Sequence, residues 1–382
     1  TPYLFQTEDY GECWTLLTDG SNGIPGDYPV RAVREDVERE GVLSAGTECG
    51  MFVSLDDGEM WLPFQQNLPA TPITDIKIAD GNLYLSTMGR GFWVIDDLTP
   101  VHAMADAHAG RIDVAMDEVT LLEPRDAYRV RAGGGFGYGA QAQVQPTFRP
   151  TGVMLDYWVP DGFDGDLTLE ILDTEGTVLN VYESEGEGMR SEEAQEMRAP
   201  FRRTSGTPTL ALEPGMNRFV WNLMETDPTG RSVMVLPGSY QARLSTGEAS
   251  VTRSFSVLMD PRVAADGVTM ADLEAQYSLI REINATVAEA NEVAERIDQG
   301  VEASDDEALA EFEDLQGEMR DDPVGSYPKP MLLNQLRYLS SMLNRADQRP
   351  GRDAYVRHEQ LKTRLAEVKA ELERLERLIT QN

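Results

Sequence analysis

Two kinds of hydrophobic pattern follow one another along the chain. Through about residue 98, short apolar stretches alternate with polar positions, as in VRAVRED (30–36) and ITDIKIAD (73–80). A period of two predicts β-strands that bury one face. Residues 146–260 alternate in the same way, whereas apolar residues after 260 recur every three or four positions, which predicts helices. The pattern therefore predicts a multidomain, mainly β protein with an α-helical C-terminal part.

The first region contains an internal repeat. The octet TEDYGECW at 7–14 is followed 47 positions later by SLDDGEMW at 54–61. A third unit, LSTMGRGFWVIDD at 85–97, aligns with AGTECGMFVSLDD at 45–57 at an offset of 40, although it has lost the glycine and the tryptophan of the octet. Units of this length with three or four short strands are typical of β-propeller blades.

The two octets resemble the Asp-box, S/T-x-D-x-G-x-x-W, of BNR repeats in sialidases, xyloglucan-cleaving glycosidases and sortilin-type propellers. The stretches GRGFWVIDDLTP (89–100) and LLEPRDAYR (121–129) resemble the tail of large bacterial exported proteins with sortilin-like propellers, often labelled glycosyl hydrolases. The resemblance implies an extracytoplasmic location, either secreted or periplasmic. One partial and two fuller blades are too few to close a propeller, so the chain is expected to be a C-terminal portion of a longer protein.

The residue types of the Asp-box predict a structural role. Its glycine can adopt a positive φ in a tight turn, its aspartate can accept hydrogen bonds from main-chain N–H groups, and its hydroxyl residue can close the same loop. Its tryptophan is expected to pack between neighbouring sheets. In the families that it resembles, the box lies on the propeller rim, away from the central cavity. The predicted structural residues are Thr7, Asp9, Gly11, Trp14, Ser54, Asp56, Gly58 and Trp61.

Residues 146–260 contain six candidate strands separated by DG, EG, PG and TG turns. This spacing predicts an immunoglobulin-like or fibronectin type III-like β-sandwich, in which Trp221 and Tyr240 are expected to be core residues. The preceding segment, 99–145, contains GGGFGYG at 133–139. No amphipathic helix follows these glycines, so they are interpreted as a loop and not as a nucleotide-binding fingerprint.

The last segment, 261–382, is predicted to be a helical bundle. Thr269 with Asp272 predicts a helix start, and DDPVGSYPKP predicts a helix break. A final leucine-rich stripe, from Leu361 to Ile379, has heptad spacing. It can pack in an antiparallel helical hairpin within the chain, which the short connections favour, or it can pair two chains as a coiled coil.

These patterns predict four segments. Terminal Asp-box propeller blades occupy 1–98, and a connecting segment with the glycine-rich loop occupies 99–145. The β-sandwich occupies 146–260 and the helical bundle or coiled-coil tail occupies 261–382.

The charge balance excludes some partners. The 382 residues include 33 Lys and Arg against 66 Asp and Glu, which leaves a formal net charge of -33. Such a field repels nucleic acids and anionic lipids, and no local basic patch is apparent in the sequence, so no nucleic-acid partner is predicted. No apolar run is long enough to span a membrane, and no signal peptide is visible. Cys13 and Cys49 can pair or remain free.

The sequence assigns no catalytic residue, cofactor or metal site. Its histidines, His102, His108 and His358, lack metal-ligand spacing and are interpreted as solvated or capping residues. No GxSxG motif is present, and a glycosidase carboxyl pair cannot be chosen among 66 acids. We expect a scaffold or interaction module that binds protein or carbohydrate through the complete propeller. The alternatives are an accessory part of a propeller glycoside hydrolase and, less favoured, a sortilin-like peptide-binding protein.

Overall fold

A computed structural model of the chain describes residues 2–110, 117–131, 149–184, 208–227, 229–247, 249–303, 306–320 and 330–381. The glycine-rich loop at 133–139 lies outside the described residues. The described chain combines several β-sheets with a C-terminal helical region, as the hydrophobic pattern predicts.

Residues 2–98 form three antiparallel sheets. The first sheet pairs β1 with β2, the second has the order β3-β4-β5-β6 and the third has the order β7-β8-β9. Each sheet is a meander in which consecutive strands are neighbours, because short turns connect them. The strands are β1 Phe5–Gln6, β2 Thr15–Leu16, β3 Val30–Glu35, β4 Leu43–Thr47, β5 Met51–Ser54, β6 Leu62–Pro63, β7 Ile73–Ala79, β8 Asn82–Thr87 and β9 Phe92–Ile95.

A repeated threonine closes one hairpin in each of the second and third sheets. The hydroxyl of Thr47 donates to the carbonyl of Gly50 at 2.9 Å, and that of Thr87 donates to the carbonyl of Gly91 at 2.8 Å. The main-chain N–H of each threonine bonds to the same carbonyl oxygen. The offset of 40 in the sequence therefore corresponds to a similar turn in the structure, which is one residue longer in the third sheet.

Two hydrophobic clusters connect the three sheets. One joins the second sheet to the third and to helix α1, Thr99–His108, through residues such as Met51, Ile76 and Val101. The other joins the first sheet to the second through Leu4 and Trp61. The sheets therefore pack side by side in chain order. The described residues form no closed propeller.

Residues 117–259 contain two larger sheets with one shared core. The three-stranded sheet has the order β10-β12-β15, and the five-stranded sheet has the order β11-β19-β18-β13-β14, with β11 parallel to β19. A small β16-β17 hairpin lies beside them. The strands are β10 Thr120–Leu121, β11 Ala127–Arg129, β12 Val153–Val159, β13 Thr168–Leu172, β14 Val178–Glu183, β15 Gly215–Trp221, β16 Met224–Thr226, β17 Ser232–Met234, β18 Gly238–Ser245 and β19 Ser250–Met259.

Apolar residues from both of these sheets form a single buried cluster. Trp221 and Tyr240 belong to it, with their ring centroids 5.7 Å apart. The expectation that they are core residues is confirmed. The strands lie where the alternating pattern predicts them, because that alternation places one face of each sheet in the core.

The C-terminal region is helical. Its helices are α2 Pro261–Ala265, α3 Met270–Ala303, α4 Asp306–Met319, α5 Leu332–Leu343 and α6 Arg352–Gln381. The predicted helix start is confirmed, because Thr269 and Asp272 exchange hydrogen bonds between their side chains and main-chain N–H groups. In the described part of the leucine stripe, Leu361, Leu365 and Leu372 are buried in the cluster formed by α3, α4, α5 and α6. The stripe therefore packs within the chain.

Candidate functional site

The first Asp-box closes its turn with three hydrogen bonds. The Thr7 hydroxyl donates to the Asp9 carboxylate at 2.9 Å and accepts from the N–H of Gly11 at 2.8 Å. The same carboxylate oxygen accepts from the N–H of Cys13 at 2.8 Å. This last bond is the main reason that the pKa of Asp9 lies below its usual value. Asp9 is therefore held as an anion by the turn.

The second Asp-box repeats these contacts. The Ser54 hydroxyl donates to the Asp56 carboxylate at 2.7 Å and accepts from the N–H of Gly58 at 2.9 Å. The carboxylate accepts from the N–H of Met60 at 2.9 Å. The two box glycines have φ values of 95° (Gly11) and 90°, in the region that only glycine adopts readily.

The two box tryptophans differ in their surroundings. Trp61 is 1% exposed, and its indole N–H donates to the carbonyl of Leu17 at 3.3 Å, in the segment between the first and second sheets. Trp14 is 59% exposed, and its indole N–H donates to the carbonyl of Gly11 within its own turn at 3.1 Å. The expectation that both pack between sheets is correct for Trp61 and wrong for Trp14, because Trp14 has no sheet packed over it among the described residues.

A polar contact that the sequence did not reveal joins helix α1 to the second sheet. The His102 imidazole lies 2.8 Å from the buried carboxylate of Asp36. One turn further along the helix, Asp106 lies 3.3 Å from the guanidinium of Arg39. His102 is therefore neither a solvated nor a capping residue. The i, i+4 spacing of positions 102 and 106 is the sequence signal that places both on one helix face.

His108 approaches the second Asp-box from the end of the same helix. Its imidazole lies 3.7 Å from the Asp56 carboxylate, and more than half of its side chain is exposed. Asp56 thus has an ionisable neighbour outside its turn. The remaining histidine, His358, is buried between helices with its Nε2 2.9 Å from the Thr286 hydroxyl, and burial lowers its pKa.

Two apolar surfaces flank the stack of three sheets. On the first sheet, Tyr3 and Phe5 are exposed and their rings stack with centroids 6.3 Å apart. Trp14 and Leu16 are exposed on the same small sheet. We call these four residues the aromatic face. At the third sheet, the exposed apolar residues are Tyr84, Phe92 and Val94.

No group of three or more His, Cys, Asp or Glu side chains within the described ranges is placed to hold a metal ion. Cys13 and Cys49 are both free thiols. None of the described helices combines the length and the apolar character needed to cross a lipid bilayer.

Comparisons with known proteins show no family for this chain. No protein-family model matches it, and no curated protein matches it. Among solved structures, one match is PorZ, a bacterial surface component of the type-IX secretion system of Porphyromonas gingivalis. The identity is 14% and the TM-score is 0.18, over 60% of this chain and 30% of that one.

A second solved structure is the extracellular domain of BT4673 from B. thetaiotaomicron. The identity is 11% and the TM-score is 0.20, over 67% of this chain and 28% of that one. This chain thus spans less than a third of the length of either protein. TM-scores this low do not show a shared fold, and the similarity to Asp-box proteins rests on the octets alone.

Proposed function

We propose that this chain is a non-catalytic scaffold and interaction module, the C-terminal part of an exported Asp-box β-propeller protein. In this proposal, residues 1–98 supply terminal blades and 99–145 connect them to the next domain. Residues 146–260 form an immunoglobulin-like or fibronectin type III-like sandwich, and 261–382 form a helical tail. The location is extracytoplasmic.

The aromatic face of the first sheet is the observation that carries this proposal. Four large apolar residues lie exposed on the two-stranded sheet and its flanking residues, and a contiguous exposed apolar patch of this kind marks an interaction surface. The opposite side of the same sheet already packs on the second sheet through Leu4. A further sheet stacked on the aromatic face would continue the side-by-side arrangement that the second and third sheets have.

The Asp-box turns support a structural role for residues 1–98. Asp9 and Asp56 each accept a main-chain N–H and a hydroxyl within their own turn. At Asp9 these hydrogen bonds stabilise the ionised form and lower the pKa of the carboxyl. That is the opposite of what a general acid requires.

Two aromatic contacts support the sandwich assignment. Trp221 is fully buried between the sheets, and the Tyr240 hydroxyl donates to the carbonyl of Leu236 at 2.7 Å. A buried tryptophan and a tyrosine that bonds to the main chain a few residues upstream both occur in immunoglobulin-like domains.

The glycoside-hydrolase and peptide-binding alternatives concern the complete propeller. No contact among the described residues favours either. An assay of the complete protein on polysaccharides and sialosides separates them. Turnover that is lost when a carboxylate of the central cavity is replaced would support the hydrolase, and capture of extended peptides by the intact propeller would support peptide binding.

Hydroxyl-radical footprinting tests the proposed sheet stacking. The isolated chain is compared with the polypeptide extended by its preceding sheets, and oxidation of each residue is measured by mass spectrometry. Phe5 and Trp14 should become protected by about fivefold or more in the extended protein, since a covering sheet excludes solvent from their rings. Tyr338 serves as the control, because it is 62% exposed on the distant helix α5.

Equal oxidation of Phe5 and Trp14 in the two proteins would contradict the proposal. Protection of all three residues together would point to general aggregation and would also count against it.

A further inference from the structure

A polar cavity of about 480 Å³ lies at one edge of the five-stranded sheet, between strand β14 and the β16-β17 hairpin. Residues 178–182 of β14 form one wall, and Thr226 and Ser232 of the hairpin lie on the other. The volume is in the range that small ligands occupy in proteins. None of the described lining residues has a charged side chain. The cavity is therefore polar but uncharged, in a chain with a net charge of -33.

The β16-β17 hairpin has one face toward the helices and the other toward the cavity. Val233 belongs to the hydrophobic core of the helical region, and Glu225 accepts a hydrogen bond from Tyr277 of helix α3. Because side chains alternate across a strand, Thr226 and Ser232, which pair across the hairpin, lie on the opposite face. Neither of their hydroxyls has a hydrogen-bond partner within the described parts of the chain. This wall of the cavity is thus held from behind and presents two hydroxyls in front.

Two asparagines hold their side-chain amides in a fixed orientation at the cavity. The side-chain oxygen of Asn180 accepts the indole N–H of Trp221 at 3.2 Å. The side-chain oxygen of Asn222 accepts the main-chain N–H of Met224 at 3.1 Å. Since each oxygen is engaged, each NH₂ group remains as a donor, and neither has a partner among the residues that the structure describes. Both asparagines line the cavity, so it also contains two preoriented donor groups.

Tyr182 is the residue that points to a ligand. It lines the cavity and is only 7% exposed. Burial raises the pKa of its phenol to about 12. Its hydroxyl has no hydrogen-bond partner in the described structure, whereas a buried phenol usually has one, because an unmade hydrogen bond costs free energy.

The other two tyrosines of the same hydrophobic core follow the usual rule. The Tyr157 hydroxyl donates to the carbonyl of Ala211 at 2.8 Å. The Tyr240 hydroxyl donates to the carbonyl of Leu236 at 2.7 Å. Tyr182 differs from both in lining the cavity. A ligand in the cavity would supply the partner that the fold does not.

We propose that this cavity binds one or two neutral sugar rings of a glycan. A sugar hydroxyl both donates and accepts hydrogen bonds, so it can pair with the amide N–H groups and with the hydroxyls of Tyr182, Thr226 and Ser232. The apolar residues Val178 and Met224 also line the cavity and can contact the C–H groups of a ring. A neutral ligand is not repelled by the acidic surface of the chain. The site lies within 178–232 and does not depend on how the sheets of residues 1–98 stack.

Two other classes of ligand fit less well. A charged sugar, such as a uronate, would lose hydration of its charge without meeting a charged partner among the described lining residues. An extended peptide would have to pair with the outer edge of β14. There the N–H of Leu210 already bonds to the carbonyl of Glu183 at 3.0 Å, and Pro208 lines the cavity. Each of these alternatives is a distinct outcome of the test.

A glycan array probed with the fluorescently labelled whole chain tests the proposal. The array presents neutral glycans that end in glucose, galactose, mannose or N-acetylglucosamine, beside sialylated and uronate glycans and extended neutral peptides. We expect binding to at least one neutral terminal sugar and inhibition by an excess of the same free sugar. The signal should change little as salt rises, because the ligand carries no charge.

A pair of tyrosine variants separates binding from folding. Tyr182→Phe should weaken sugar binding by about three- to tenfold, since one hydrogen bond to the ligand is lost. Without sugar, its midpoint of thermal unfolding should stay the same or rise, because the variant removes a hydroxyl that has no partner in the fold. The matched control is Tyr240→Phe, in the same core and 8% exposed. It should lower the midpoint, through loss of the bond to Leu236, and leave binding unchanged.

A second pair of variants locates the site on the hairpin. Thr226→Val with Ser232→Ala removes two hydroxyls from the cavity wall and should weaken binding by about threefold or more. The control is Thr252→Val with Ser254→Ala, which removes two exposed hydroxyls from strand β19, outside the cavity lining. It should leave binding unchanged. All four side chains are exposed, so both double variants should remain folded.

Several results would overturn the proposal. They are failure of every neutral glycan to bind, undiminished binding by Tyr182→Phe, and equal losses in the two double variants. A fall in the unfolding midpoint of Tyr182→Phe as large as that of Tyr240→Phe would show that the Tyr182 hydroxyl already has a partner in the fold, and would also count against it. Binding confined to the acidic glycans, or to the peptides, would assign the cavity to one of the other two ligand classes.

Discussion

The two Asp-box turns share their hydrogen bonds but not their packing. Each turn uses a hydroxyl residue and an aspartate to bind two main-chain N–H groups, at nearly equal distances. Yet Trp61 is buried, whereas Trp14 is exposed. The motif therefore determines the turn by itself, and the neighbouring sheet determines whether the tryptophan contributes to a core.

The segment between β2 and β3 explains the difference. The side-chain amide of Asn22 donates to the carbonyl of Leu17 at 2.8 Å. The main-chain carbonyl of Asn22 accepts a hydrogen bond from the main-chain N–H of Trp61. At Gly23, with φ 115°, a Cβ would lie 1.8 Å from the carbonyl oxygen of Trp61. Only glycine permits this approach. No equivalent segment covers Trp14 among the described residues.

The largest expected effect is the loss of the buried ring. Trp61→Ala should lower the free energy of unfolding of the second sheet by about 3–5 kcal/mol, through lost burial and a residual cavity. Trp14→Ala should cost less than about 1 kcal/mol, as is usual for a surface position. Hydrogen exchange at the amides of β4 and β5 is the appropriate measurement, because a chain with several cores does not unfold in one step.

Equal losses of unfolding free energy for Trp61→Ala and Trp14→Ala would contradict the difference between the two turns. They would show that the first turn is packed as closely as the second. Trp93, on the third sheet, is the internal control. Its indole N–H bonds to the carbonyl of Arg90 at 3.0 Å and its ring is partly buried. The loss of unfolding free energy for Trp93→Ala should lie between the losses for Trp61→Ala and Trp14→Ala.

A smaller effect is expected from the box carboxylates. Asp56→Ala removes the acceptor of Ser54 and Met60 in a part-buried turn and should cost about 1–3 kcal/mol in the second sheet. Asp9→Ala should cost less, because the first turn is more open to water. Asp56→Asn retains one acceptor oxygen and should recover part of the loss. Hydrogen exchange at Met60 and Cys13 reports each turn separately.

A greater loss of stability from Asp9→Ala than from Asp56→Ala would contradict this order. It would mean that the first turn, despite its exposed tryptophan, is the one that organises the sheets.

Features set by nearby residues were predictable from the sequence. The octet pattern indicated the turn because its donors and acceptors lie within four residues of one another, and Thr269 with Asp272 indicated the start of α3 for the same reason. Alternation indicated the strands of the two larger sheets, since period two follows directly from the strand backbone.

Features that depend on distant residues were not predictable. The contact between His102 and Asp36 spans 66 positions, and Arg131 and Asp347 are separated by 216. A single sequence contains no signal for such partners. The exposure of Trp14 likewise depends on which groups lie over its ring, and the local motif does not determine it.

The smallest effect concerns the charge of Asp9. The N–H of Cys13 holds the pKa of this carboxyl below its ordinary value of 3.8. The unfolded chain therefore takes up the proton first as the pH falls, so the contribution of Asp9 to stability is complete above about pH 3.8 and is lost as the pH falls through the lower, folded-state pKa. Carboxyl NMR of Asp9 and the amide shift of Cys13 should titrate together, and Asp9→Asn should abolish both changes. A carboxyl that titrated above 3.8 would be able to serve as a proton donor. A titration below 3.8 would instead support a structural role for Asp9, which is to accept the main-chain hydrogen bond of Cys13 as an anion.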